Sequence, residues 1–170
     1  MDGPDAFDVI LRPTPDESAR PGRVFLGDDD VLLAHSRHGR LARFAGGAVN
    51  GLFGHLPESL GLYDPHAVSR TEATHDPETV RVRYADIEGL APFVRPTGFS
   101  LHLRVANRPD EIRLAFRSDD ERAEAVALAR ALRGLAREAG AEPTVFDPGG
   151  RTRLLPLDEQ APDEDGRDAA

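Results

Sequence analysis

The sequence predicts an α+β domain: a partly closed antiparallel β-barrel capped by one long C-terminal helix, with an inserted helical segment. Three observations carry that prediction. The stretches "TVRVRY", "FSLHLRV" and "EIRLAF" each alternate apolar and polar residues with a period of two, as strands buried on one face do. The stretch that follows them, "SDDERAEAVALARALRGLAREAG", has apolar residues at spacings of three and four instead. Turn-forming residues separate the alternating stretches, and "ANRPDE" between the last two signals a hairpin.

In chain order, residues 1–22 read as an N-terminal arm with one apolar knot, Phe7 to Pro13, followed by the loop "PDESARPG". The domain proper is expected over 23–142. "RVFL" and "DVLLAHS" flank the acidic turn "GDDD" and predict a first hairpin. Residues 37–78 interrupt the strand pattern as an insertion. Val80, Val82 and Tyr84 then alternate with Arg81 and Arg83, and "DIEGLAPFV", Asp86 to Val94, adds a strand. Phe99, Leu101, Leu103 and Val105 alternate with His102 and Arg104. Ile112, Leu114 and Phe116 alternate with Arg113 and Ala115. The total is six or seven antiparallel strands.

The closing helix begins at Ser118, with Glu121 three residues on as a capping box and Asp119 and Asp120 in the first turn, where the helix dipole favours negative charge. Ala125, Leu128, Ala129, Leu132, Leu135, Ala136 and Ala139 form its apolar stripe. Gly140 stands at the natural stop, and Pro143 prevents continuation. Residues 143–170 read as a largely disordered acidic tail, because too little apolar surface is present to offset ordering entropy. "RTRLLPL", residues 151–157, is the exception and could pack against the body.

Composition bounds the chemistry. The 170 residues carry 30 acidic and 21 basic side chains, a formal charge of −9, which argues against a nucleic-acid partner. There is no cysteine, so disulfides, thiolate nucleophiles and zinc–thiolate sites are excluded. There is no lysine either, which removes P-loop and Schiff-base chemistry. "MDGPDAFDVI" lacks the basic and apolar regions of a signal peptide, so a cytoplasmic location is expected, with a place peripheral to a membrane left open.

The stretch "RHGRLARFAGGAVNGLFGHL", residues 37–56, is apolar, glycine-rich and basic at its start. Arg43, Asn50 and His55 interrupt it, so it is too short for a transmembrane segment, which needs about 20 apolar residues. "GGAVNG" is not the G-x-G-x-x-G of a dinucleotide loop. As a helix it gathers Leu41, Phe44, Ala48 and Leu52 on one face, with Arg40 and Arg43 elsewhere. Two readings remain open: a helix over 40–53 docked on its own barrel, and a detachable amphipathic helix that meets a membrane surface or a partner.

At "VRVRYADIEGL", "FSLHLRV", "EIRLAF" and the closing helix, the chain resembles a pleckstrin-homology (PH)-like domain of the GRAM or bacterial type. Tyr84, Asp86 and Ile87 match that family's strand-end step, Phe116 its last strand end, and Ser118 to Ala139 its capping helix. The resemblance implies a PH-like barrel and a lipid- or protein-binding module rather than an enzyme. The turn in the place of the family's basic phosphoinositide loop is here "GDDD", of the wrong sign for phosphate.

No constellation of catalytic type stands out. His35 and His38 read as surface histidines, Asp28 to Asp30 as a solvated turn, and Asp86 and Glu88 as charge partners for neighbouring arginines. No metal and no cofactor is expected. The cluster worth following is the outward side of the sheet, where Arg81, Arg83, His102, Arg104, Arg113 and Arg117 share one parity and suit carboxylate or phosphate contacts. The expected function is a non-enzymatic binding or scaffold module that uses this face or the inserted helix to engage a protein partner or an anionic membrane surface. A small-ligand carrier with its pocket in the barrel mouth is the alternative.

Overall fold

The computed structural model describes residues 6–36, 66–117, 121–149 and 153–157. The expected helix over 40–53, with Arg40, Leu41, Arg43, Phe44, Ala48 and Leu52, lies outside the described residues, as does His38.

The fold is α+β. The strands are β1 (Ala6–Arg12), β2 (Arg20–Leu26), β3 (Asp30–His35), β4 (Val80–Arg83), β5 (Ile87–Arg95), β6 (Gly98–Val105), β7 (Ile112–Phe116) and the short β8 (Thr144–Val145). Helix α1 (Arg70–His75) precedes β4, and α2 (Arg122–Glu138) follows β7. The strands form one sheet in the order β4-β3-β2-β1-β7-β6-β5-β8, antiparallel except for the β5–β8 pair. β4 and β8 end the sheet and do not pair with each other, so it is not closed into a barrel.

The sheet begins inside the stretch read as an N-terminal arm. β1 pairs with β2 on one side and β7 on the other. Phe7, Val9 and Leu11 face the main core. Ile10 is buried too, on the opposite face, and this second apolar position blurs the alternation in sequence.

The alternating residues of β1 to β7 and the stripe of α2 form one core, which includes Leu128, Leu132 and Ala136 of the helix and Leu101, Leu103 and Ile112 of the sheet. The helix starts at Arg122 with Glu121 in the N-cap place, one turn later than expected from Ser118, which is not among the described residues. The Glu121 carboxylate accepts the Arg117 backbone N–H at 2.6 Å. At the other end the expected stop is present. Gly140 has φ 84°, its N–H donates to Arg137 O, and the Ala141 N–H donates to Ala136 O. This is the Schellman arrangement, which satisfies the last helical carbonyls.

Part of the expected tail belongs to the body. Phe146 is buried after β8, and Leu154 bridges Phe93. Leu155 and Leu157 are buried, so "RTRLLPL" supplies packing residues as its composition allowed.

A second, smaller apolar cluster lies on the outward side of the sheet. Phe25, Leu32 and Ala34 are covered there by Val68 and by Ala73 of α1. Ser69 caps α1 through a complete capping box with Glu72.

Candidate functional site

The outward side chains of β5, β6, β7 and β1 meet in cross-strand rows set by register. In one row Ala91 pairs with His102, His102 with Arg113, and Arg113 with Arg12. In the next row Phe93 pairs with Ser100, Ser100 with Ala115, and Ala115 with Ile10. The second row has two small residues at its centre, so the surface dips there. Arg95, at the end of β5, closes the far side. The result is a basin of about 340 Å³, floored by Ser100 and Ala115, walled by Phe93 and Ile10, and rimmed by Arg12, Arg95, Arg113 and His102.

No carboxylate lines this basin among the described residues. Arg12 is held by backbone carbonyls: its Nε donates to Glu17 O at 3.0 Å and its Nη2 to Pro15 O. Arg95 Nη1 lies 3.4 Å from Ser100 Oγ, and Ser100 is only 2% exposed. Arg113 Nε is buried with no hydrogen-bond partner among the described residues. Arg113 also stands opposite Arg12, a like-charge pairing that destabilises a sheet.

His102 also stands at the rim of the basin. Burial pushes its pKa below the ordinary 6.5, Glu111 opposes that shift, and Arg113 and Arg95 add to it. Its Nδ1 is 3.0 Å from a Glu111 carboxylate oxygen, which can only accept, so Nδ1–H is the donor. The His102 ring also meets Phe93 edge-on, with centroids 4.8 Å apart.

The six residues expected as one stripe fall into separate places. Arg81 and Arg83 are on the edge strand β4, and β3, β2 and β1 lie between them and β7. The cluster around Phe25 and Leu32 occupies the intervening surface. Arg81 is 3.4 Å from Asp30, and Arg83 makes a two-pronged contact with Asp86 at 2.8 and 3.0 Å. Arg83 is exposed, and the Asp86 hydrogen bond and charge raise its pKa. His102 and Arg113 are in the basin. Arg104 stands beside it, paired with Glu111 at 3.1 Å and stacked over the Phe146 ring at 3.7 Å.

Arg117 borders an adjoining hollow of about 240 Å³, which shares Ile10 and Ala115 with the basin. Asp8, Glu121 and Glu124 line that hollow, so its charge is opposite to that of the basin.

Sequence reasoning missed Arg12, Arg95 and Ser100. Arg12 has the outward parity of β1, but it becomes a basin residue only because β7 returns beside β1. His35, read as a surface residue, is 7% exposed. Its ring Nε2 is 3.9 Å from a Glu17 carboxylate oxygen. Asp86, one of the two expected charge partners, does pair with an arginine, Arg83.

Among the described residues no group of three or more His, Cys, Asp or Glu side chains could hold a metal. Nor is any helix among them long and apolar enough to cross a membrane. Compared with known proteins, no family model matches the chain and no curated protein resembles it in sequence.

Proposed function

We propose that the protein is a non-enzymatic binding module whose outward sheet face engages an anionic partner, a protein segment or a membrane surface, in the cytoplasm. The observation that carries this reading is the basin: guanidinium groups from β1, β5 and β7 around one recess, with no lining carboxylate among the described residues, in a chain of net charge −9. Such an arrangement is unfavourable without an anion and favourable with one. The connectivity supports a PH-like type for the module. β1 to β4 pair in sequence, β5 to β7 pair in sequence, β7 returns to β1, and α2 covers the inner face.

The carrier reading has less support. The inner face is occupied by α2, with Leu101, Leu103, Leu128 and Leu132 all fully buried. The recess lies on the outer face instead.

The test is retention of native partners and of phosphatidylserine vesicles on immobilised full-length protein. Replacing Arg95 and Arg113 together by glutamine should abolish retention, and wild-type retention should fall as salt rises, because charge contacts in water are screened beyond about 10 Å at 0.1 M salt. The Arg81→Gln, Arg83→Gln pair should leave retention intact. Equal retention by wild type and the Arg95, Arg113 variant would overturn the proposal.

A further inference from the structure

We infer that the basin receives one phosphomonoester group, carried on a phosphorylated side chain of a protein segment that also bears a nearby basic residue. This inference rests on the reading of the outer face as an anion-binding surface and names the ligand of that same site.

Charge is the first argument. Arg12, Arg95 and Arg113 ring the recess, no described carboxylate lines it, and Arg113 Nε has no described partner. One carboxylate brings a single negative charge and two oxygens, which one guanidinium can satisfy in a bidentate pair. A phosphomonoester brings about 1.5 to 2 negative charges and three strong acceptor oxygens. Three guanidiniums on three different strands match the second group better.

Shape is the second. The floor is Ser100, which is 2% exposed, and the methyl group of Ala115. Only a group that projects from its carrier reaches that floor, where the Ser100 hydroxyl can donate to one oxygen. Phe93 and Ile10 offer an apolar wall for the carbon that bears the phosphate.

The adjoining hollow selects the carrier. It shares Ile10 and Ala115 with the basin and is lined by Asp8, Glu121, Glu124 and Arg117; Asp8 is already paired with Arg23 at 2.6 Å, so Glu121 and Glu124 set its excess of negative charge. An anionic bilayer pressed on this face would meet those carboxylates. A peptide with a phosphate followed by an arginine would place each charge against its opposite.

The experiment titrates the full-length protein with four probes: a short phosphoserine peptide containing an arginine, the same peptide with glutamate for phosphoserine, inorganic phosphate, and vesicles containing phosphatidylinositol 4-phosphate. Calorimetry gives affinity, and amide NMR shifts give location. The phosphopeptide should bind at least about tenfold tighter than the glutamate peptide, with shifts centred on Ser100 and Ala115. Arg113→Gln should lose about tenfold or more. Arg113→Lys keeps the charge without the fork, so it should fall between. Melting curves of both variants show whether the fold is intact. Weak binding of inorganic phosphate at the same amides would support the inference.

Equal affinity for phosphoserine and glutamate peptides would overturn the inference and leave the anion-binding reading standing. Basin shifts with the vesicles alone would also overturn it and make a lipid headgroup the ligand. No basin shift with any probe, while partner retention still depends on Arg95 and Arg113, would remove the phosphate and keep the face. Loss of that dependence as well would remove both.

Discussion

Arg12 and Arg113 face each other across β1 and β7, and this pair makes stability and binding opposed at single residues. Like charges directly opposite in a sheet cost about 0.2–1 kcal/mol. Arg113→Gln should therefore raise the melting temperature slightly in phosphate-free buffer, and added phosphate should stabilise the wild type more than the variant. Differential scanning calorimetry in both buffers checks this; destabilisation by Arg113→Gln in phosphate-free buffer would contradict it.

His102 adds a pH dependence. Its pKa in the folded chain lies below the unfolded 6.5, chiefly through burial. Below pH 6.5 the unfolded chain therefore binds the proton more readily than the folded one. Stability is full above pH 6.5 and falls as pH drops through the folded pKa. The groups facing His102 are Glu111 before β7, Arg113 on β7 and Arg95 on β5. His102→Gln should flatten the stability profile between pH 6.5 and the carboxylate range, measured by urea unfolding.

A third residue, Gly98, has φ 93°, and a Cβ there would sit 2.1 Å from Phe116 O. Gly98→Ala combines left-handed strain with a backbone clash and should cost about 1–3 kcal/mol in urea unfolding.

At the scale of elements, the strands read from alternation and the long helix were legible because each buries a single face. Leu132 of α2 is fully buried, as its place in the stripe implied. Leu132→Ala should cost about 2–5 kcal/mol. Leu132→Asp should abolish cooperative unfolding, because it buries an unpaired charge. A melting temperature near wild type for Leu132→Asp would contradict the placement of α2 over the core.

Other elements were less legible for identifiable reasons. β1 buries Ile10 on its outward face as well as Phe7, Val9 and Leu11 on the inner one, so its period is broken there. The short helix α1 was absorbed into an insertion, although "SRTE" at Ser69 to Glu72 carries a capping-box signature. β8 has only two residues and depends on the edge of β5 for its conformation.

For the molecule as a whole, sequence parity identified which side chains point outward but not which of them meet. That depends on strand order. Because β7 returns to β1, Arg113 and Arg12 become neighbours despite their distance in sequence. Because β4 lies at the far end of the sheet, Arg81 and Arg83 do not join them. The basin is thus a product of topology, and its floor comes from two residues, Ser100 and Ala115, that carry no strong signal by type.

The central claim is that an anion sits among Arg12, Arg95 and Arg113, and His102 reports on it. Burial chiefly lowers the His102 pKa and Arg113 and Arg95 add to it, so an anion between the two arginines offsets their part. The decisive measurement is the NMR titration of the His102 ring with and without the phosphoserine peptide, at constant ionic strength. The pKa should start below 6.5 and rise when the peptide is bound. An unmoved His102 pKa at saturating peptide would contradict the claim.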